Sequence, residues 1–484
     1  MCRRPARFAV VAFAVFLGPL LVPIGVAAQA RLTGADLGGT VVDQTGAIVP
    51  GVTVTVTNVD TNLVRTAVTD EDGRYTVAAL PPGTYQISAA ISGFVSETRN
   101  QVALLLGEAA VMDFQLKIAG TAEAVVVTGE TRVVAVSHTE VSSVVNRQQI
   151  ENLPINGRNF ISFAVITPGV TTDRTPQQGA SATSGLSFTG QRARSNNIMV
   201  DGLDNNDQVV GAVRATFSQE AVREFQVLTN SYSAEFGKAT GGVVNIVTKS
   251  GTNTLAGNLF GYFRDDSLNS RGYFEKFDIF GAAVTLDKSP FRQTQWGATI
   301  GGPIKRDKTF FFASFERNAT DASNLVTIPG NAAALLNSLG FLVELGNVPY
   351  EFNMTQAMAR VDHQWSANHG LAVRGSWVDI DNENIEPFGG SVARSRGAEQ
   401  LRTDWSLSAS QTDVLSNRWI SEFRLQFAPQ DQEINSLDPR CGGPCTAENQ
   451  GGPTLEITGV GSVGRQRFTP QPRRNRRLQF LETV

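Results

Sequence analysis

The stretch from Leu153 to Asn269 decides the fold of this chain. It contains the segments LPINGRNF (153–160), GQRARSNNIMVDGLDNND (190–207), SAEFGKATGGVVNIVTKSGTN (233–253) and LAGNLFGYFRDDSLN (255–269). Short β-forming runs alternate with loops rich in Asn, Gly and Ser, and Asp201–Gly202 marks a turn after one of these runs. The last segment has the pattern of a strand suited to lipid. The sequence therefore predicts a loop-rich domain that leads directly into a membrane strand.

The composition favours a mainly β protein of several domains. The chain has 484 residues with 46 Gly and 28 Phe, but only 3 His and 3 Cys. Turn signals recur at short intervals, as in all-β folds. Charge is nearly balanced, with 41 Lys+Arg against 45 Asp+Glu, so nothing points to a nucleic-acid partner.

The first 30 residues have the pattern of a signal peptide. A segment with three arginines precedes the apolar run Phe8–Val26, which two prolines interrupt. Ala28-Gln29-Ala30 then forms a small-x-small site, which predicts cleavage after Ala30. The prolines and this site disfavour the alternative of a transmembrane anchor. Because no later run is long and apolar enough for a membrane helix, any later membrane domain has to be a β-barrel.

Residues 31–117 are predicted to form a small β-sandwich. Val52, Val54 and Val56 alternate with threonines, so one face of this strand is apolar and the other polar. Asp72–Gly73 and Pro82–Gly83 supply turns between the following strands. This order of strands and turns resembles the carboxypeptidase regulatory-like domain, which implies a transthyretin-like fold.

Residues 133–251 are predicted to form an α+β domain. A strand is followed by a short helix through Arg147 to Asn152 with Asn146 as its N-cap, then by a turn and a second helix. A strand ending at Asp201–Gly202 and a strand–turn–strand segment complete it. Together with the segments quoted above, this region resembles the plug domain of TonB-dependent outer-membrane transporters. In that family the plug leads into the first strand of the barrel.

The linker between the two domains, residues 118–132, resembles a TonB box. Its centre is a run of β-forming and small residues: Val125, Val126, Val127, Thr128 and Gly129. An extended run of low charge can add to a sheet edge of a partner through main-chain hydrogen bonds. The resemblance implies a periplasmic energy-coupling partner of the TonB type. The other interpretation is an ordinary interdomain strand.

Residues 252–484 alternate as the wall of a membrane β-barrel does. Trp405, Leu407 and Ala409, for example, oppose Asp404 and Ser406. A soluble sandwich also alternates, but here the polar face carries charges on strand after strand, as expected for a wet lumen. The predicted strands, about eight in number, lie near Leu259, Gln295, Phe310, Ala357, Leu371, Thr403, Trp419 and Leu478.

The predicted wall is shorter than a plugged barrel requires. Plugged transporters have about 22 strands, and a closed barrel of about eight strands has no room for a plug, because its side chains fill it. The chain is therefore expected to be a truncated product, part of a longer protein, or a chain that needs a complementing fragment. The predicted fold class is mainly β: a transthyretin-like β-sandwich, then an α+β plug, then a partial antiparallel transmembrane β-barrel.

Catalytic motifs are not found. The three histidines form no zinc-binding pair, and there is no G-x-S-x-G elbow or P-loop, so we expect neither an enzyme nor a metal or organic cofactor. Cys441 and Cys445 are expected to form a local disulfide, because exported proteins commonly contain them. A metal site at these cysteines would need further ligands, and no histidine lies nearby.

Four plug residues are candidates for function. Arg158, Arg192 and Arg194 lie in loops rich in Asn, Gly and Ser. They either bind loop carbonyls and form plug–wall salt bridges, or line the substrate face. Asp201 belongs to an Asp-Gly turn similar to that of plug domains, and its side chain is expected to cap this turn, which is a structural role.

The resemblance implies a receptor of the Oar-like group in the outer membrane of a Gram-negative cell, surrounded by lipid. It would bind an external substrate and import it with energy coupled from the inner membrane. Two alternatives stay open: a surface adhesion or structural protein on the same scaffold, and a non-functional fragment. The substrate class also stays open among siderophore, glycan, peptide and cobalamin.

Overall fold

The described residues of the computed structural model are 32–119, 125–127, 134–135, 141–153, 155, 158–172, 185–207, 213–214, 216–233, 236–276, 287–416, 419–438, 440 and 452–484. Most of them are in β-strands, and helices are short. No helix in these ranges is long and apolar enough to cross a membrane.

The first domain is a sandwich of two sheets. Its strands are β1 (Ala35–Asp43), β2 (Thr53–Asn58), β3 (Val64–Val68), β4 (Arg74–Leu80), β5 (Gly83–Ala90), β6 (Phe94–Val95), β7 (Glu97–Leu104), β8 (Ala109–Val111) and β9 (Phe114–Ile118). Two further strands join its sheets, β10 (Val125–Val127) in the linker and β11 (Val134–Ala135) just after it. One sheet has the order β11-β8-β1-β9-β6, with β4 also on β1, and the other has the order β10-β7-β5-β2-β3.

The valine–threonine alternation places the core of the sandwich. Val52, Val54 and Val56 are fully buried against the opposite sheet, as predicted from the sequence. Tyr75 lies in the same core, and its hydroxyl donates to the carbonyl oxygen of Met112 at 2.7 Å. The buried polar group is therefore paired, which burial in an apolar core requires.

After β9 the chain returns to the sandwich twice, once within the linker and once just after it. Strand β10 pairs in parallel with β7, with Val126 opposite Thr98. Strand β11 pairs antiparallel with β8, with Val134 opposite Val111. Both sheets of the sandwich are thus extended by strands that belong to the connection toward the next domain.

The second domain is built on one mixed sheet. Its strands are β12 (Val141–Val145), β13 (Val170–Thr172), β14 (Leu186–Phe188), β15 (Asn197–Val200), β16 (Leu203–Asp204), β17 (Val222–Asn230) and β18 (Val243–Thr248). The sheet order is β12-β17-β18-β15-β16, and β13 pairs separately with β14. Strand β18 is buried along its whole length, because it lies in the middle of this sheet.

The short helices of this domain follow their sequence signals. Helix α1 (Arg147–Asn152) has a capping box, in which Asn146 and Gln149 each accept from the backbone N–H of the other. This confirms the predicted helix and its N-cap. The predicted second helix is a 3₁₀ helix, Phe160–Ile166, capped by Asn159.

The third region is an eight-stranded antiparallel wall. Its strands, in the order in which they pair, are β19 (Ala256–Asp265), β20 (Phe291–Lys305), β21 (Thr309–Val326), β22 (Gly346–Ser366), β23 (His369–Glu386), β24 (Ala398–Val414), β25 (Ile420–Ser436) and β28 (Arg473–Thr483). The predicted eight strands are confirmed. Within the described residues β19 and β28 are each paired on one side, so the wall is a partial barrel.

The two faces of the wall have inverted polarity relative to a soluble sandwich. Leu259 and Phe480 point away from the plug and are 84% and 75% exposed. Glu316 and Arg424 point toward the plug and are each 1% exposed. An exposed apolar face and a buried polar face are typical of outer-membrane barrels, where lipid covers the outside.

The two ends of the wall differ in the length of their connections. The connections at one end are short, with two to five residues each: 306–308, 367–368 and 415–419. At the other end, three long connections pack on one another through a hydrophobic cluster that includes Ile328, Leu336, Phe341 and Val463. They contain helix α3 (Gly330–Ser338) and the hairpin β26 (Leu455–Ile457) and β27 (Gly461–Val463), whereas helix α2 (Tyr273–Lys276) lies in the connection after β19. We call the packed connections the outer cap.

Candidate functional site

The contact between plug and wall is the site that the fold builds, and Asp201 is at its centre. Asp201 follows β15, and it adopts the left-handed conformation with φ of 50°. Its carboxylate accepts from the backbone N–H of Thr248 at 2.9 Å. It also pairs with Arg360 at 3.3 Å and with Arg374, both on the inner face of the wall. The carboxylate was predicted to cap its own turn, but it instead connects two plug strands to two wall strands.

The electrostatics of Asp201 explain how a buried carboxylate stays charged here. Burial by itself raises the pKa of a carboxyl group, since it penalises the charged form. Around Asp201 the guanidinium groups of Arg374 and Arg360 and the N–H of Thr248 outweigh this effect, so the pKa of Asp201 is lowered from its ordinary value. We call Asp201, Arg360 and Arg374 the plug–wall triad.

The turn that carries Asp201 leaves no space for a side chain at the next residue. Gly202 has φ of 76°, and a Cβ atom at this position would lie 2.9 Å from Nε of Arg424. Glycine is therefore needed for the backbone conformation and for the close approach of the wall.

A second group of polar contacts joins the plug to strands β24, β25 and β28. Arg214 of the plug donates to the carbonyl oxygen of Ala428 at 2.9 Å and lies 3.6 Å from the carboxylate of Asp404. Arg477 of the wall donates to the carbonyl oxygen of Asp204 at 2.9 Å. The plug is thus held by polar groups on both partners, and the apolar side chains of Phe312 and Met358 of the wall pack into the plug core beside them.

Arg158 lies between the plug and the first strand of the wall. Its guanidinium pairs with Glu220 at 2.6 Å and donates to the hydroxyl of Tyr262 at 2.8 Å. It also lies 4.4 Å from the ring centroid of Phe260, which is within the range of a cation–π interaction. Arg158 therefore forms both a salt bridge and plug–wall contacts. By contrast, Arg192 precedes the 3₁₀ turn Ala193–Ser195 and Arg194 lies within it, and both side chains are exposed.

A cleft of about 370 Å³ opens beside Arg158, toward the long connections of the wall. Arg158 Nε, Thr216 Oγ1 and Gln356 Oε1 line it and have no hydrogen-bond partner within the described part of the chain. Phe291 and Phe352 supply apolar surface from the wall. None of the described residues lining the cleft is acidic. The cleft is therefore suited to a ligand that combines hydrogen-bonding groups with an apolar surface.

The short-turn side of the plug is covered by the sandwich. The backbone N–H of Leu106 donates to Glu224 Oε1 of the plug at 2.8 Å, in a buried position. Asn245 of the plug donates to the carbonyl oxygen of Leu32 at 2.6 Å. Sandwich, plug and wall together line a cavity of about 190 Å³ at this junction.

The other predicted site residues have a limited structural description. The backbone of Val125–Val127 is a strand, β10, paired with the sandwich. Thr128, Gly129, Cys441, Cys445 and Ala30 lie outside the described residues. Among the residues that the structure describes, no cluster of His, Cys, Asp and Glu is suited to a metal ion.

The wall partners of the plug were not singled out from the sequence. The alternation of the strands predicts a polar face that carries charges, of which Asp404 is one example, but it gives no partner for Asp404, Arg360 or Arg374. The signal that marks them is a charge at the centre of a strand whose opposite face is apolar, since such a charge needs a partner in the lumen.

Three family models match this chain in succession. A carboxypeptidase regulatory-like domain matches residues 36–117, a TonB-dependent receptor plug domain matches residues 135–243, and an outer membrane beta barrel domain matches residues 247–338 and 343–484. With the geometry described above, these matches define a plugged β-barrel protein of the outer membrane. The chain belongs to the TonB-dependent receptors, in the group that has an N-terminal carboxypeptidase regulatory-like domain.

A curated relative is the TonB-dependent transporter Oar of Myxococcus xanthus. It is 30% identical over 291 residues, which are 58% of this chain and 26% of the relative. The chain thus spans about a quarter of the length of this relative.

Solved structures similar to this chain include a transporter and a receptor. The outer membrane transporter YddB of Escherichia coli is 14% identical, with 67% of this chain and 42% of that chain covered and a TM-score of 0.45. The siderophore receptor PirA of Acinetobacter baumannii is 18% identical, with 69% and 43% covered and a TM-score of 0.43.

Proposed function

We propose that this chain is part of a transporter that binds an external substrate in the cleft beside Arg158 and imports it when a periplasmic partner displaces the plug. The observation that carries this proposal is the polar nature of the plug–wall contact. Asp201, Arg214 and Arg477 reach across it to hydrogen-bonding groups on the other side. Water can form hydrogen bonds with these groups once the plug separates from the wall, whereas a large apolar interface would oppose the separation.

The partner in this proposal is a periplasmic energy-coupling protein of the TonB type. Strand β10 supplies a backbone edge near the short-turn end, where outer-membrane barrels face the periplasm. An added strand of the partner would bind Val125–Val127 through main-chain hydrogen bonds. Pulling on this segment would transmit force along the chain to the plug.

The test is a proline substitution in the box segment. Val126→Pro removes a backbone N–H and disfavours strand pairing, so we expect it to abolish energy-dependent uptake while surface binding of the substrate persists. The matched control is Val126→Thr, which keeps the N–H and a β-branched side chain. Uptake is measured in cells with a labelled panel of ferric siderophore, cobalamin, oligosaccharide and peptide, with and without a protonophore.

Normal uptake by the Val126→Pro variant would refute the coupling mechanism.

The outer cap favours one second candidate function, that of a surface adhesin. Its connections share a hydrophobic core that includes Phe341 and Val463, and this core holds them together as a folded surface. Binding of cells or proteins that is insensitive to the protonophore, without uptake of any member of the panel, would support the adhesin instead.

A further inference from the structure

The sandwich occupies a position that the transport mechanism does not by itself require. It contacts the plug through Leu106–Glu224 and Leu32–Asn245. It also reaches the base of the wall, since the backbone N–H of Asn253, at the junction of plug and wall, donates to the carbonyl oxygen of Asp60 at 2.9 Å. The sandwich is therefore docked against both the plug and the end of the wall with short turns.

The contact of the Leu105–Gly107 turn is closely fitted. A Cβ atom at Gly107, where φ is 74°, would lie 2.7 Å from the side-chain amide of Gln226. Glu224 is 5% exposed and accepts from the backbone N–H of Leu106. Arg223 on the plug strand favours the charged form of Glu224, whereas Glu108 of the sandwich disfavours it. A buried carboxyl group that accepts from a backbone N–H is a specific contact, because separating it from its donor exposes both groups.

A pulling force on the linker would reach the docked sandwich before it reaches the plug. Strands β10 and β11 both pair with sandwich strands, and β11 lies just before the first plug strand β12. A pull applied at β10 is therefore carried first by the backbone hydrogen bonds to the sandwich. Only after this does the tension reach Val141, where the plug sheet begins.

We propose that the sandwich is an inner gate, which in its docked position holds the plug and must undock from the plug and the wall before the plug moves. This inference rests on the proposed transport function and adds a step to it. The docked sandwich also covers the plug surface that faces the periplasm, so a passage opened beside the plug stays blocked until the sandwich leaves.

The test is a reversible cross-link across the docking contact. Asp60→Cys with Asn253→Cys, in a background with the native cysteines replaced by serine, places two thiols where the backbones are already hydrogen-bonded. The matched control is Thr57→Cys with Gln86→Cys, a cross-strand pair inside the sandwich. Uptake is measured with whichever member of the labelled panel the parent chain imports.

We expect the oxidised Asp60–Asn253 pair to lower uptake at least tenfold, with recovery after reduction, and the control pair to transport normally in both states. Transport at the control rate by the fully oxidised pair would overturn the inner gate. If the parent imports none of the panel, the transport function itself fails, and a second measurement still decides the gate.

This second measurement is single-molecule pulling in membranes on the chain without the cysteine pair, with the force applied through a handle attached at residue 126. Rupture of the sandwich contacts is expected before the plug extends. Traces in which the plug extends while the sandwich stays docked would contradict the proposal. This measurement also covers the case in which the double-cysteine chain fails to reach the membrane.

Discussion

Removal of the charge of Asp201 should free the plug from the wall. The substitution Asp201→Asn keeps the size of the side chain, retains an acceptor for the N–H of Thr248, and suits the left-handed backbone, which asparagine tolerates. It leaves the buried guanidinium group of Arg374 without its anion, whereas Arg360 keeps its salt bridge to Asp362 at 2.7 Å. The variant therefore isolates the electrostatic part of the contact.

The expected magnitude follows from burial. Breaking a buried ion pair by removing one partner costs about 3–5 kcal/mol, because the remaining charge is left uncompensated. Since about 1.4 kcal/mol corresponds to a factor of ten, the opening equilibrium of the plug should rise by a factor of about a hundred or more. Hydrogen exchange of strand Val243–Thr248 in membranes measures this equilibrium.

The matched control is Asp307→Asn. Asp307 has a similar backbone conformation, with φ of 64°, but it lies in an exposed turn of the wall. We expect a change below about 1 kcal/mol there. In addition, Arg374→Gln combined with Asp201→Asn should cost less than the sum of the single changes, because the two residues interact. An effect of Asp201→Asn no larger than that of the control would refute the role of the triad.

Two further predictions concern the sandwich and the cysteines. Burial raises the pKa of Glu224 to about 7, from an ordinary value of 4.5. Because the sandwich supplies part of this burial, its docking should be strongest below pH 4.5 and weaken as the pH rises to 7, by at most on the order of 3 kcal/mol. Hydrogen exchange of the Leu106 amide, corrected for the intrinsic effect of pH, should become faster as the pH rises through this range. The substitution Glu224→Gln should remove this pH dependence, and an unchanged pH dependence in that variant would exclude Glu224 as the cause. Cys441 and Cys445 are predicted to be linked, so intact-mass analysis should show alkylation of both only after reduction. Alkylation without a reductant would contradict the disulfide.

Much of the fold could be predicted because the signals are local. The alternation of Val52, Val54 and Val56 with threonines, the cap at Asn146 and the turn at Asp201–Gly202 all depend on neighbouring residues, and the structure confirms each of them. The inward and outward faces of the wall strands are confirmed for the same reason, since a strand alternates with a period of two.

The candidate site could be predicted only in part. Arg158 was identified as a plug residue that either pairs or lines the substrate face, and it does contact both Glu220 and the cleft. The signal-peptide cleavage, the box segment and the domain boundaries stay predictions. The outer cap was not foreseen, because its core joins residues such as Ile328 and Val463 from separate connections.

The sequence by itself determined which residues form strands, which faces are apolar, and to which family the chain belongs. Only the tertiary structure decided that Asp201 pairs with Arg360 and Arg374, which lie more than a hundred residues away along the chain. It likewise decided that the sandwich docks on Glu224. The physical reason is that alternation depends on the local backbone, whereas the partner of a buried charge depends on which strands the fold brings together.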